Sequence, residues 1–473
     1  MRQAERLPDG YVVRLDRRVW RTDGGAVLVG GSPPRVLRPA ARLRPLLAAD
    51  RITVTDDASA AFVRRLLDAG MAHPVAAPTR PGRGEVTVVV PVRDRPDALC
   101  RLLSALVTTT PGLGGIVVVD DGSVDPHAVR AVAGEAGARV LRHPVSRGPA
   151  AARNTGLRAA STPFVAFLDS DVVPQPGWLD PLLTCLADPA VALAAPRVVA
   201  LPPVRGVIGR YEAVRSSLDL GPDPAPIAPR TRVAYVPSAA VVIRRAAVPD
   251  GFAEDMHVAE DVDLVLRLFR AGWRMRYEPV ARVAHQHRSG LAAWWLRKAY
   301  YGTGAAPLAK RHPGLVPPLV LSGWSAAVPA LLLHGRAWSV ATALGLWAAT
   351  TERLARRLPS RHPRLVAARL VGVATAAALR QASQAVTRHY WPIAVLGAVA
   401  SRRVRRAVGL VAVADGLLDW WRHRDRHPGL RPGPVGHLLA RRLDDLAYGT
   451  GLWWGALRHR TLAPLLPVRP NRG

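Results

Sequence analysis

The sequence predicts an α/β fold built on an open, mainly parallel sheet, and three observations carry that prediction. Residues 86–92, VTVVVPV, form a continuous β-branched run of the kind buried on both faces of such a sheet. Residues 115–119 repeat the run after an intervening helical pattern, which makes a strand, helix, strand unit. Val140-Leu141 and residues 164–168, FVAFL, supply further strands, so residues 85–305 read as one open α/β nucleotide-binding domain.

A chain of 473 residues is too long for one core and implies about two to four domains. Residues 1–75 read as a small module with strands at 11–15, 19–21 and 26–29 and a Thr22-Asp23-Gly24-Gly25 turn. Ser32 before Pro33 has the pattern of an N-cap followed by proline at the first helical position. Asp56 or Asp57 caps a second helix that ends at Gly70 and buries Ala61, Val63, Leu66 and Leu67. Residues 73–84, HPVAAPTRPGRG, hold three prolines and no apolar periodicity, which places a linker at 76–84.

Residues 306–473 read as a mostly helical, apolar and basic segment. Residues 314–335 carry no formal charge and exceed the roughly 20 residues needed to cross a bilayer. A second apolar run at 337–351 is shorter, and those at 367–379 and 411–418, interrupted by Arg369 and Asp415, read as amphipathic or interfacial helices. Residues 401–473 hold fourteen arginines against five aspartates, with Trp420, Trp421, Trp453 and Trp454, which suits an anionic headgroup surface. A soluble bundle with the same runs as its core is the other reading.

Hydrophobic residues make up 49% and charged residues 21%, which excludes disordered and fibrous classes. The 65 basic residues against 35 acids give a formal net charge of +30, yet lysine occurs only at Lys298 and Lys310. With 5% aromatics and no RNP-like or zinc-finger spacing, the charge does not point to nucleic acid as partner. Cys100 and Cys185 cannot build a disulfide framework or a zinc site and read as buried thiols in a reducing compartment. Residues 1–20 lack the apolar core of a secretory signal, so the N-terminal part is expected in the cytoplasm.

In open α/β sheets ligands bind beyond the carboxyl ends of the strands, and here those ends are polar. Pro91 ends the first ladder and leaves Arg93 within reach of a base or phosphate. Residues 119–123, VDDGS, offer a carboxylate to the imide N–H of a pyrimidine beside a glycine that lets the backbone turn; an Asx turn explains the same residues. Residues 147–156, RGPAAARNTG, open a helix with small side chains, which serves either a ligand at the helix N-terminus or packing on the sheet. Asp169 and Asp171, two residues apart with no cation adjacent in sequence, repel each other unless a hard divalent cation relieves them.

In this order and spacing VVVPVRD, VVVDDGS, GPAAARNTG and FLDSD resemble the family 2 glycosyltransferases of the GT-A fold over residues 85–304. The resemblance implies that Pro91, Arg93 and Asp121 line a uracil pocket and that Arg153 and Asn154 lie near the ribose and diphosphate. It makes Asp169 and Asp171 the metal and nucleotide motif, with Asp171 a direct ligand of Mn²⁺ or Mg²⁺. In AEDVDL, residues 259–264, it makes Asp261 the catalytic base of an inverting transfer, although three acids at a helix start also suit the helix dipole. His285 matches a third metal ligand of some GT-A enzymes; a surface pair with His287 is equally compatible. Residues 294–302, WWLRKAYYG, stand where processive synthases carry QxxRW and depart from it, so that motif does not support processivity. Residues 236–240, VPSAA, are expected to shape the acceptor site.

Residues 6–39 and 56–74 resemble peptide-recognition modules related to PqqD. Together with VRSSLDLG, YVPSAA, AEDVDL and RKAYYGTGAAPLAKRHPG they make the chain to about residue 320 similar to the mycofactocin-biosynthesis glycosyltransferases. That resemblance implies transfer of glucose from UDP-glucose to a peptide-derived redox-cofactor precursor and its extension as a β-1,4-linked chain, at the cytoplasmic side of the cell membrane. A polysaccharide or lipid-linked glycosyltransferase, and a non-enzymatic peptide-binding scaffold, are the rival readings; the acids at 121, 169, 171 and 261 disfavour the scaffold.

Overall fold

The computed structural model describes residues 6–287, 290–424 and 429–469. The chain forms two compact units. One runs from the N-terminus to Arg21 and takes in Leu28–Val204 and Ser216–His287; the other takes in Thr22–Val27, Arg205–Arg215 and the C-terminal part.

In the first unit the small N-terminal module pairs Val12–Leu15 antiparallel with Arg51–Thr53 and Ala72–Ala76. The helix Asp57–Asp68 is capped by Asp56, whose carboxylate accepts from Ser59 N at 2.7 Å. It buries Phe62, Val63, Leu66 and Leu67 in the module core, whereas Ala61, expected inside, is exposed. The helix expected after Ser32-Pro33 is absent. Arg35–Leu37 pairs with Val27–Gly30 as a hairpin, and Ser32 Oγ accepts from Arg232 N at 2.8 Å instead of capping a helix. Arginine and carboxylate side chains fasten the module to the larger sheet domain: Arg64 meets Asp188 at 2.8 Å, and Arg274 grips Asp68 at 2.6 and 2.8 Å.

The larger domain is a mixed sheet of nine strands among the described residues. Its order is Val172–Pro174, Arg274–His285, Val191–Ala200, Ala240–Arg244, Phe164–Leu168, Val86–Val92, Gly115–Asp121 and Arg139–His143, with Ala225–Pro226 paired to Arg274–His285. The half from Phe164–Leu168 to Arg139–His143 is parallel. Side chains of Val86–Val92 alternate between two cores. Val86, Val88, Val90 and Val92 pack against Leu99, Leu102, Leu103 and Leu106 of the helix Pro96–Thr109, and Val89 packs with Ala150, Ala152 and Leu157 of Pro149–Ala159. GT-A topology follows from this arrangement, with all four polar motifs at the carboxyl edge of the parallel half.

The second unit is helical, with Gly206–Arg215, Leu291–Thr303 and Pro434–Arg458 at its centre. Leu291–Thr303 and Pro434–Arg458 touch backbone to backbone: a Cβ at Gly451 would lie 1.7 Å from Ala299 O, and one at Gly302 2.2 Å from Tyr448 O. The uncharged stretch 314–335 is not one helix. Pro317 and Pro318 delay the helix to Gly323–His334, 12 residues and roughly 18 Å, short of the roughly 30 Å bilayer core. Among the described residues the one helix with the length and composition to cross a bilayer is Pro363–His389, in which Arg369 causes no interruption.

Gly156 fixes how closely Pro149–Ala159 approaches the sheet, since a Cβ there would lie 2.2 Å from Val89 Cγ1. Gly156→Val is expected to cost at least about 2 kcal/mol by overpacking and to lower the thermal midpoint of the purified chain by roughly 2 °C or more. An unchanged midpoint in differential scanning fluorimetry contradicts this packing.

Candidate active site

Three loops at the carboxyl edge of the parallel strands are tied together by carboxylates. Asp94, in the left-handed region at φ 54°, accepts from Val124 N at 2.8 Å and donates its own N–H to Ser123 Oγ at 3.0 Å, which joins the loops after Val86–Val92 and Gly115–Asp121. Asp120 is buried, accepts from Ser123 N at 2.9 Å and pairs with Arg142. Arg93 remains exposed beside Asp94, 3.4 Å away. Pro91 is half-buried and does not end the ladder, which continues through Val92 opposite Asp120.

Asp121 is buried with both oxygens in use. It accepts from the N–H groups of Arg147 and Gly148 at 2.8 Å each, from Ser146 Oγ at 2.7 Å and from His143 Nδ1 at 2.7 Å. Burial raises its pKa, but these four hydrogen bonds win and hold the carboxyl below the ordinary range. Its carboxylate therefore orders the turn that leads into Pro149–Ala159, where Gly148 sits at φ 91°. Asn154 is spent in the same way on the segment before the second acidic motif. Its Oδ1 accepts from Phe252 N at 2.7 Å and its Nδ2 donates to Phe252 O and Glu254 Oε1 at 2.9 Å each.

Arg153, one residue earlier on the helix, is buried and divides its fork between two acids. Nη2 donates to Asp169 Oδ1 at 2.7 Å and Nη1 to Glu260 Oε1 at 2.9 Å, with the Phe252 ring 5.4 Å from the guanidinium carbon. The strand-end motif and the helix Glu260–Arg270 are thus bridged by one cation. The Asp169 and Asp171 carboxylates have cationic partners drawn from distant sequence, contrary to the isolation inferred from their neighbours. Arg95 Nη1 donates to Asp171 Oδ2 at 2.6 Å, and His285 Nε2 lies 3.4 Å from Asp171 Oδ1. Burial raises Asp169, and the Asp171 charge adds to that rise against Arg153; Asp171 itself is held low by His285 and Arg95 against burial.

Among the described residues no three His, Cys, Asp or Glu side chains converge as a ready metal cage. The donors present are Asp171 and His285 in contact, with Asp169 two residues from Asp171 and the buried His285 Nδ1 lacking a hydrogen-bond partner. Carboxylate oxygens plus imidazole fit a hard divalent cation that takes its remaining ligands from a diphosphate and water.

Asp261 opens the helix Glu260–Arg270 after Ala259, which is left-handed at φ 65°. The half-buried carboxylate accepts from Val262 N at 2.8 Å and from Ser238 N at 3.2 Å, so the 236–240 segment does reach it. Desolvation and the adjacent Glu260 charge push Asp261 up to about 7, against the pull of the Val262 N–H and Arg153. Sequence reading passed over Arg95, His143, Glu254 and the partner role of Glu260. His143 was within reach of it, because Arg139–His143 ends at the same sheet edge.

The mixed sheet with acids at the ends of its parallel strands is that of the GT-A fold, and the class, a glycosyltransferase, follows from the relatives. The family model described as glycosyl transferase family 2 matches residues 87–247. Two relatives from Mycobacterium tuberculosis, strains CDC 1551 / Oshkosh and ATCC 25618 / H37Rv, each named pre-mycofactocin glycosyltransferase, are 49% identical over 473 residues, covering 98% of this chain and 99% of their own. A solved mannosyltransferase, PcManGT from Pyrobaculum calidifontis in complex with GDP-Man and Mn²⁺, is 23% identical with TM-score 0.39, covering 65% of this chain and 89% of its own. The chain belongs to the pre-mycofactocin glycosyltransferase family, within the family 2 glycosyltransferases.

The raised Asp261 pKa has a sign for stability. The folded chain holds this proton up to about pH 7, while the unfolded chain releases it near 4, so the carboxylate destabilises the fold increasingly as pH rises between those values. Asp261→Asn is expected to raise the thermal midpoint at pH 8 and to leave it nearly unchanged at pH 4. A midpoint shift equal at both pH values contradicts the raised pKa.

Proposed function

We propose that this enzyme transfers glucose from UDP-glucose, with inversion, to a peptide-derived pre-mycofactocin acceptor and extends it as a β-1,4-linked chain. The observation that carries the reading is geometric: the buried cation of Arg153 joins Asp169 at the strand end to Glu260, the residue next to Asp261. The names of the 49% identical relatives support the acceptor; UDP-glucose and the β-1,4 linkage rest on the resemblance of the motifs.

In this reading Pro91 and Arg93 line the uracil pocket, and Asp121 shapes it through the turn it orders. Arg153 and Asn154 hold the diphosphate side, Asn154 by fixing the 252–254 segment. Asp171, with Asp169 and His285, would hold Mn²⁺ or Mg²⁺, which would supply positive charge beside the departing diphosphate. Asp261 takes the proton of the acceptor hydroxyl as its oxygen bonds to the anomeric carbon, and the bond from that carbon to the diphosphate oxygen breaks, with UDP leaving on the electron pair. Residues 1–75 present the peptide part of the acceptor, with 76–84 as linker to the catalytic domain at 85–305. The chain works at the cytoplasmic side of the cell membrane through residues 306–473.

Purified full-length protein with Mn²⁺ and UDP-glucose is expected to add one or more hexoses to the dipeptide-derived precursor by mass spectrometry. UDP release without a hexosylated precursor overturns the acceptor and points to lipid or glycan acceptors. Because the base must be deprotonated, kcat/KM is expected to rise through about pH 7, and Asp261→Asn to lower it by at least about 100-fold. Full activity of Asp261→Asn overturns the base assignment.

A further inference from the structure

The C-terminal unit is built inside out. On the helix Arg402–His423 the side chains of Leu410, Val413, Leu417 and Trp421 recur every three or four residues and, with Leu418 beside them, are exposed, Leu410 by 72% and Trp421 by 54%. The acids of the same helix turn inward: Asp415 accepts from Arg442 Nη2 at 2.6 Å, and Asp419 meets His437 Nε2 at 2.9 Å. The neighbouring helix Pro434–Arg458 repeats the inversion, with His437, Arg441, Asp444 and Asp445 buried and Val435, Leu439, Trp454 and Leu457 exposed. A helix at a boundary between protein and water has the opposite polarity.

Just before this stripe, Trp391–Ala400 contains no charged residue and no buried residue, and Leu396 and Val399 are 70% and 77% exposed. Directly after it stand Arg402, Arg403, Arg405 and Arg406, all exposed. The acids of this hairpin, Asp415 and Asp419, are turned inward onto Arg442 and His437, so the outward face of a second copy brings no carboxylate to those arginines, whereas anionic headgroups do. At 1.5 Å per residue the stripe from Leu410 to Trp421 and the helix Trp391–Ala400 each extend about 15–17 Å, too short to cross the roughly 30 Å hydrocarbon core, so these faces engage one leaflet only.

We propose that the outward face of Trp391–Ala400 and Arg402–His423 lies in a single leaflet of an anionic membrane, its apolar side chains among the acyl chains and its four arginines at the headgroups. This rests on the membrane reading given above and adds the face, the depth and the lipid charge. Membranes are engaged by insertion of exposed apolar area reinforced by charge, so both contributions should be separable.

The experiment is flotation of the detergent-free full-length chain with vesicles of phosphatidylcholine alone or mixed with phosphatidylglycerol. The wild type is expected to float with the mixed vesicles, several-fold less with phosphatidylcholine alone, and less as salt rises. The variant Leu410→Ser/Leu417→Ser/Trp421→Ser is expected to lose flotation by at least about tenfold while keeping its thermal midpoint and UDP release. Arg402→Gln/Arg406→Gln is expected to lose the preference for phosphatidylglycerol. Wild type that floats with neither vesicle overturns both this inference and the membrane reading. Equal flotation of the triple variant overturns this face and leaves the membrane reading standing. A wild-type dimer that the triple variant converts to monomer assigns the stripe to a second copy and overturns the inference.

Discussion

The buried guanidinium of Arg153 is the interaction on which the catalytic region depends. A buried cation is tolerated only where opposite charge compensates it, and here two carboxylates from different elements, Asp169 and Glu260, meet its two Nη groups. The bridge works because Arg153 stands on a helix pressed against the sheet at Gly156, so its position is set by backbone packing rather than by a mobile loop. Glu260 then brings negative charge beside Asp261 and raises its pKa, while Arg153 restrains that rise. One cation thereby ties the strand-end motif to the carboxyl at the start of Glu260–Arg270.

Around that bridge, polar side chains divide into those that build the site and those left open to it. Asp121 and Asn154 spend their hydrogen-bonding capacity on the protein, on the turn at 146–148 and the segment at 252–254. Asp261 and the pair Asp171 with His285 keep less crowded surroundings. The C-terminal unit uses buried charge differently: Lys298 sits 2.8 Å from Glu212, whose carboxylate also accepts from Trp294 Nε1 at 2.9 Å, in a helical interior whose outward faces are apolar.

Much of the α/β domain was legible because its strands are uninterrupted β-branched runs and its acids stand at strand ends, both of which are local patterns. What escaped was non-local. Arg95 lies 76 residues from Asp171, and Arg153 lies 107 residues from Glu260, so the cations that neutralise the acidic motif left no trace near it in sequence. Ser32-Pro33 carries a helix-start pattern, yet pairing of Arg35–Leu37 with Val27–Gly30 prevails over that local preference. At 314–335 composition alone pointed to a span, and Pro317-Pro318 breaks the segment. In the other direction Arg369 reads in sequence as an interruption of a run that folds as the long apolar helix Pro363–His389, because arginine is itself a good helix former and does not stop a helix.

The most direct test of the Arg153 bridge is the pH profile of UDP release by Arg153→Gln protein beside that of the wild type. Loss of the cation removes the charge that restrains Asp261, so the ascending limb is predicted to move to higher pH while its height falls. A profile of reduced height with an unmoved midpoint contradicts the claim that Arg153 couples the two acidic motifs.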